Sequence, residues 1–208
     1  MSGHGFRERL AERAATLRIP LAEAEIEKLE TYFDLLKRWN AKINLTALPL
    51  DGLPVEQSVE RLFVEPLSAA RFFPESALGW IDVGSGGGSP AIPLKVVRPA
   101  AKLTMVESRT RKAAFLREVV RTLNLADADV QSARFEDLES PDLADIVTVR
   151  AVRVDAPLLA ACHRVLRCGG KLMLFQSAQI AAIEGFASVR REVLGDAGSS
   201  FLDIREAV

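Results

Sequence analysis

The stretch Ile81–Asp82–Val83–Gly84–Ser85–Gly86–Gly87–Gly88–Ser89–Pro90 decides how the rest of the chain is read. An apolar run from Leu78 to Val83 enters it, and a helical rhythm through Ile92, Leu94, Val96 and Val97 leaves it. That is the pattern of a buried strand, a tight turn and a helix start. Glycines there let the backbone take positive φ and let a ligand approach without meeting a Cβ. The first amides of the following helix lack partners and point into the turn. A nucleotide-like ligand at the carboxyl end of a parallel strand suits such a turn. The same residues would also serve as an ordinary glycine-rich loop.

Composition sets the frame. The chain has 208 residues, is 49% hydrophobic, and carries 27 basic against 28 acidic residues for a net charge of −1. That fits one compact domain with a small addition, and any nucleic-acid binding must use a local patch. Cys162 and Cys168 do not form a CxxC pair and no other Cys or His cluster completes a zinc site, so no metal is expected. Two unpatterned cysteines point to a reducing compartment. Met1 to Arg18 is charged throughout and lacks the apolar core of a signal peptide, and no apolar run reaches membrane-spanning length. The expectation is a cytoplasmic protein with no membrane contact.

Upstream of the glycine stretch the chain reads as helical. Phe6–Leu17 predicts a short amphipathic helix. Leu21–Trp39 predicts a longer one, with Ile26, Leu29, Phe33, Leu36 and Trp39 on its apolar face. Asn40 and Asn44 then flank apolar residues before Leu45–Thr46. They are candidates for substrate contact, although side-chain capping of a turn is the preferred reading. Val55–Phe73 predicts a third helix, kinked or divided at Pro66. The helical region, residues 1–76, is expected to end near Ser76. Residues 77–208 then form the ligand-binding domain.

Downstream, strands and helices alternate. Strands are expected at Leu78–Val83, Lys102–Glu107, Asp129–Ser132, Asp145–Val149, Lys171–Phe175 and Phe201–Ile204. Helices are expected at Pro90–Arg98, Thr110–Asn124, Asp155–Arg167 and Ala178–Leu194. The inner face of the second of these helices would carry Ala114, Phe115, Val119 and Leu123. This rhythm predicts an α/β fold, a doubly wound, mainly parallel, Rossmann-like sheet.

Glu107 ends the second strand, about twenty residues after the glycines, where a carboxylate can accept both ribose hydroxyls of a nucleoside. Gly84, Gly86 and Gly88 are spaced Gly-x-Gly-x-Gly, and Ser89 takes the third position of the dinucleotide fingerprint. Asp82 would repel a pyrophosphate and suits a cationic ligand. Spacing and charge therefore favour S-adenosylmethionine over NAD. Phe135 and Glu136, after the third strand, could stack against and hydrogen-bond an adenine, or Phe135 could be plain core. Arg150, directly after an apolar strand, is costly unless paired or facing ligand.

The glycine stretch through Val97–Arg98–Pro99 resembles one family, as do Glu107–Ser108 with Arg111–Lys112 and Phe115–Leu116, the step Val149–Arg150–Ala151, and the early Trp39–Asn40…Asn44–Leu45–Thr46. It is the glucose-inhibited division protein B family of small-subunit ribosomal RNA methyltransferases G. The resemblance implies a class I methyltransferase fold with an N-terminal helical cap. It implies methyl transfer from S-adenosylmethionine to N7 of a guanine in small-subunit (16S) ribosomal RNA. Cofactor contacts would fall on Gly84, Ser89, Phe135, Glu136 and Arg150, with Glu107 at the ribose and Asp82, Gly86, Gly88 and Ser108 beside them.

The sequence departs from the family where Leu62 replaces a histidine, Pro66 a serine, and Gln176–Ser177 follows the fifth strand in place of a lysine. Ser89 and Ala91 also differ. A final antiparallel strand is implied, yet the chain ends at Val208, so that strand is expected to be missing or truncated.

Guanine N7 has a free lone pair, so a sparse site that aligns donor and acceptor suffices. Consistently, no Asn/Asp-Pro-Pro-aromatic motif is present, and neither cysteine sits in a Pro-Cys context. Candidate RNA contacts are Arg109 and Arg153, within the basic clusters Arg109–Lys112 with Arg117 and Arg121, and Arg150, Arg153, Arg164 and Arg167. A solvated helix surface is the preferred reading for Arg117 and Arg121. The near-zero net charge suggests ribosomal RNA within an assembled or assembling subunit as partner. The alternatives are an S-adenosylmethionine-binding module with lost or altered transfer, and an NAD-dependent oxidoreductase.

Overall fold

A computed structural model describes residues 5–52, 55–74, 78–138, 143–177, 182–195 and 200–208. Its centre is a seven-stranded sheet in the order β3-β2-β1-β4-β5-β7-β6. The strands are β1 (Gly79–Val83), β2 (Lys102–Val106), β3 (Ala128–Gln131), β4 (Ala144–Arg150), β5 (Leu166–Gln176), β6 (Phe186–Leu194) and β7 (Ser200–Ala207). The pairs β1–β2, β1–β4, β2–β3 and β4–β5 are parallel, whereas β7 runs antiparallel to both neighbours.

Three helices follow strands: α5 (Ala91–Val97), α6 (Thr110–Thr122) and α7 (Ala156–Val165). The apolar side chains of α5 and α6 cluster with Trp80, Leu103 and Met105 on one face of the sheet. Those of α7 cluster with Ile81, Val83, Val147 and Val149 on the other. The winding reverses between β1 and β4, and ligands of open α/β sheets lie at such a switch point.

The N-terminal helices are α1 (Phe6–Thr16) and α2 (Glu23–Asn40), followed by a continuous helical run over α3 (Val55–Val59), a π-helical turn (Glu60–Val64) and α4 (Glu65–Ala69). Phe6, Phe33, Tyr32 and Phe63 pack ring on ring, with the Phe6–Phe33 centroids 4.4 Å apart. These rings belong to the same apolar cluster as Trp80 and Leu116, so the cap shares a core with the sheet. Burial of each such ring contributes roughly 1.5–3 kcal/mol. The expected boundary near Ser76 lies outside the described residues.

Pro66 shapes the third helical run. It has no N–H to give the carbonyl four residues back, that of Leu62. The run accommodates this through the π turn directly before it, where the amide of Glu65 bonds to Glu60. The freed Leu62 carbonyl accepts from Ser89 Oγ at 3.0 Å, which ties the cap to the glycine stretch.

Three expectations are corrected at the carboxyl edge and one on α6. Residues 186–194, expected within a helix from Ala178 to Leu194, form strand β6; residues 178–181 lie outside the described residues. Gly185 and Gly195 bracket the strand at φ of +78° and +67°, which no helix interior would hold. Arg190, Arg191 and Glu192 charge the exposed edge, as unpaired edges commonly are. The strand expected at Phe201–Ile204 extends over Ser200–Ala207 and is itself the final antiparallel strand, so that strand is present. On α6, Ala114 faces solvent, while Ala113, Phe115, Leu116 and Val119 are buried.

Candidate functional site

Two adjoining cavities open at the carboxyl ends of β1, β4 and β5. The larger, about 530 Å³, lies between the glycine stretch and the cap, with Leu36, Leu45, Leu62, Glu107, Lys112 and Arg150 in its walls. Its size falls within the range of small-molecule sites.

The floor is backbone. Gly84, Gly86 and Gly88 sit at φ of +64°, +50° and +91°, a region that costs other residues roughly 1–2 kcal/mol. A Cβ on Gly84 would stand 2.5 Å from Val152 Cγ2, and one on Gly88 2.9 Å from Ile92 Cγ1. Glycine is therefore required for both dihedral and space at these turns.

Glu107 stands at the end of β2 and is 6% exposed. Its Oε2 accepts from the Gly86 amide at 2.9 Å and its Oε1 from the Arg109 amide at 2.8 Å. Each carboxylate oxygen keeps a further lone pair. The group is thus held by the loop and still able to accept two hydroxyls.

Asp82 lies beneath the floor, 1% exposed. Oδ1 accepts from Thr148 Oγ1 at 2.5 Å, and that hydroxyl accepts from Trp80 Nε1 at 2.9 Å. Oδ2 has no hydrogen-bond partner among the described residues. Burial pushes its carboxyl up to about 6, against the pull of the Ser85 and Thr148 hydrogen bonds and the Arg150 charge.

The cap closes the cavity from above. Tyr32, the single tyrosine of the chain, is fully buried and donates to the Gly87 carbonyl at 2.6 Å. Burial drives its phenol far above the usual range, so it remains a donor. Asn40 Oδ1 accepts from the amides of Leu45 and Thr46 at 2.8 and 3.0 Å, which sets Leu45 and Thr46 into the cavity wall.

The smaller cavity, about 170 Å³, shares Arg61, Arg150 and Ala151 with the larger. Glu65, 4% exposed, accepts from Arg150 Nη2 at 2.6 Å and lies 3.7 Å from Arg61 Nε. Burial lowers the Arg150 pKa, with Glu65 opposing the shift. Ala151 is held at φ +55°, an uncommon conformation for a residue with a Cβ.

Of the sequence candidates, Gly84, Gly86, Ser89, Glu107, Arg109 and Arg150 meet around the larger cavity. Gly88 packs behind the loop, and Asp82 lies below it. Ser108, Arg153 and Asn44 are exposed and outside its lining, as is Glu136, whose carbonyl accepts from Arg164. Phe135 is buried in the core on the opposite face of the sheet. Among the basic candidates, Arg117 bonds to the Val130 carbonyl and Arg167 pairs with Asp145, while Arg109 and Arg111 are exposed. Tyr32, Arg61, Glu65 and Gln176 were not singled out as site residues. Arg61 and Glu65, four apart on one helical run, and a lone tyrosine on an apolar helix face were the available signals.

The strand order, the antiparallel seventh strand and the glycine turn facing an acid at the end of β2 together define a class I methyltransferase fold. A SAM-dependent methyltransferase from Aquifex aeolicus superposes with a TM-score of 0.59 at 17% identity, over 73% of this chain and 93% of that one. The N-methyltransferase NodS from Bradyrhizobium japonicum, in complex with S-adenosyl-L-homocysteine, gives 0.56 at 16% identity, over 85% and 98%. The family model GidB, rRNA small subunit methyltransferase G, matches residues 25–188, and the chain belongs to that family. The Ribosomal RNA small subunit methyltransferase G of Roseiflexus sp. (strain RS-1) is 35% identical over 179 residues, covering 84% of this chain and 75% of that protein. Its counterpart from Acetivibrio thermocellus is 32% identical over 194 residues, covering 91% and 78%.

Proposed function

We propose that this protein is an S-adenosylmethionine-dependent methyltransferase acting on N7 of a guanine in small-subunit ribosomal RNA. The observation that carries the reading is Glu107, clamped by the Gly86 and Arg109 amides beside a glycine floor with two lone pairs to spare. That donor set fits a ribose diol, and a cavity holding carboxylate and guanidinium groups fits an amino acid moiety with both charges. The nucleoside would lie over Gly84–Gly87 with its sugar at Glu107.

Bound there, S-adenosylmethionine would supply a sulfonium methyl open to attack by the N7 lone pair, the S–C bonding pair staying with sulfur. No proton is removed, so the protein needs no strong base at the acceptor. Its residues align the reactants and exclude water. Leu36, Leu45 and Leu62 from the cap do the excluding. Exposed Arg109 and Arg111, with Lys112 at the cavity wall, lie where RNA phosphates would approach.

A net charge of −1 gives little non-specific pull on RNA, which supports a folded subunit as the partner in a cytoplasmic setting. Among the described residues no helix is long and apolar enough to cross a membrane.

The test is labelled-methyl transfer to small subunits from a strain lacking the modification, with N7 mapped by chemical cleavage. The expected result is transfer to one guanine, a loss of roughly 10- to 100-fold in S-adenosylhomocysteine affinity for Glu107→Ala, and weaker transfer to naked RNA than to subunits. Cofactor binding without transfer would leave a binding module. No binding at all would end the proposal.

A further inference from the structure

We infer that the smaller cavity is an anion site, in which Arg61 and Ser177 bind a phosphate of the RNA strand beside the acceptor guanine. This rests on the function proposed above and adds where the RNA backbone is gripped.

The charges of this cavity do not balance. Its described lining carries three ionisable side chains, Arg61, Glu65 and Arg150, two basic against one acidic. Arg150 gives Nη2 to Glu65 at 2.6 Å and keeps Nη1 buried. The same carboxylate lies 3.7 Å from Arg61 Nε, so one negative charge serves two guanidinium groups. Burial lowers the Arg150 pKa, and the Arg61 charge adds to that lowering. A cation in excess in a partly enclosed space calls for an anion.

Arg61 is the group that can meet it. Its side chain is 36% exposed. Nη1 donates to Ser200 Oγ at 2.6 Å, which steadies the guanidinium, while Nη2 has no partner among the described residues and is not buried. A guanidinium held in this way suits phosphate oxygens. Ser177, exposed just past the end of β5, lines the same space and adds a hydroxyl. The volume of about 170 Å³ equals roughly five waters at ~30 Å³ each, enough for a phosphate group and too little for a nucleotide.

The cofactor's own carboxylate is the other anion at hand, and distance weighs against it. Seven bonds separate the ribose diol from that carboxylate, an extended reach of roughly 9 Å with bonds of about 1.5 Å. Glu107 ends β2, and in the order of the sheet β5 and β7 stand three and four strands away, about 14 and 19 Å at ~4.8 Å per strand. A sugar held at Glu107 therefore puts the methionine end no farther than β4. The β5–β7 side, where Ser200 holds Arg61, is left to the acceptor strand, whose phosphates are its anions.

The experiment compares wild type with Arg61→Met, Arg61→Lys and Ser177→Asp. Transfer is measured as kcat/KM on small subunits lacking the modification, across a range of KCl. Calorimetry gives the affinities for S-adenosylhomocysteine and for 5′-methylthioadenosine, which keeps the ribose and lacks the carboxylate. Arg61→Met is expected to lower kcat/KM by roughly 10- to 100-fold, the share of one charged hydrogen bond. The slope of log kcat/KM against the logarithm of salt concentration should flatten by about 0.7 to 0.9, as one lost phosphate contact requires. Arg61→Lys should restore that slope and part of the rate, since it keeps the charge without the fork. Ser177→Asp should lower transfer by about 10-fold through repulsion of the phosphate. Both nucleoside affinities should stay within about two-fold in every variant.

A fall in kcat/KM at an unchanged slope overturns the assignment and leaves Arg61 a brace for Glu65. A loss of S-adenosylhomocysteine affinity with 5′-methylthioadenosine binding intact also overturns it, by giving the cavity to the cofactor's carboxylate. Should Arg61→Met fail to fold, Ser177→Asp decides, and normal transfer in that variant sinks the site. If wild type binds cofactor and modifies no guanine N7, the proposed function fails and this site falls with it; normal transfer with an unaltered slope in R61M removes the phosphate site alone.

Discussion

The two cavities are built by different means. The larger stands on a backbone floor: a glycine turn, amides that hold Glu107, and a carbonyl of Gly87 tied to Tyr32, with side chains only in its walls. Its hydrogen bonds are largely complete. The smaller is made of side chains from distant parts of the chain: Arg61 and Glu65 from the cap, Arg150 from β4, Gln176 from β5. It holds ion-paired groups and two unpaired donors. The lesson concerns where change can enter. A backbone site tolerates almost no added atoms, while a side-chain site changes specificity by substitution. Of the residues that depart from the pattern the resemblance implies, Gln176 lines the smaller cavity, while Leu62 and Ser89 line the larger.

The sharpest way to break this contrast is Glu65→Ala. Removing one member of a buried pair leaves Arg150 charged and uncompensated, at a cost of about 3–5 kcal/mol. Chemical denaturation should show that loss, with Glu65→Gln recovering part of it; a loss below about 1 kcal/mol would mean the smaller cavity is as loosely held as a surface pair.

Gly84→Ala probes the backbone side. Positive φ and contact with Val152 together should cost about 2–4 kcal/mol. The double variant Gly84→Ala/Val152→Ala should recover the steric share in a thermal melt and leave the dihedral share. Full recovery would show that the turn needs glycine for space alone.

Asp82 sharpens the comparison through pH. Its folded pKa of about 6 lies above the ordinary 3.8, so the folded state binds more protons between those values. Stability contributed by this group therefore rises as pH falls from about 6 to 4 and is lost above it, by roughly 2–3 kcal/mol. The difference in unfolding free energy between wild type and Asp82→Asn should follow that slope. A flat difference would place Asp82 in a better-solvated site than its 1% exposure implies.

The smallest effects test the ties between cap and floor. Tyr32→Phe and Ser89→Ala each remove one donor, to the Gly87 and Leu62 carbonyls, and should each cost about 1 kcal/mol by denaturant titration. Additive losses would make the two ties independent, and a shortfall in the double variant would make cap and loop one unit.

Much of the larger cavity was legible because its requirements are local. Gly84, Gly86 and Gly88 stand where positive φ is needed, and Glu107 ends the strand beside that turn. The smaller cavity was less legible: Arg150 stood out as a costly charge, but its partner Glu65 lies 85 residues away, where no local pattern predicts a meeting. Tyr32 offers the sequence only the signal of a lone tyrosine on a helix, and its bond to the Gly87 carbonyl joins residues 55 positions apart. Residues 186–194 were misread because helical and strand rhythms overlap in Ser188–Val193; the bracketing Gly185 and Gly195 were the stronger signal.

Read from the chain alone, the strand–turn–helix at Gly84, the parallel core around it and the acid at Glu107 were settled, because dihedral limits and hydrophobic period act over a few residues. The seat of the cap on that turn, the Glu65–Arg150 pair, the edge strand β6 and the antiparallel pairing of β7 were settled only by folding. They depend on which distant surfaces meet, and burial there reassigns what each side chain does.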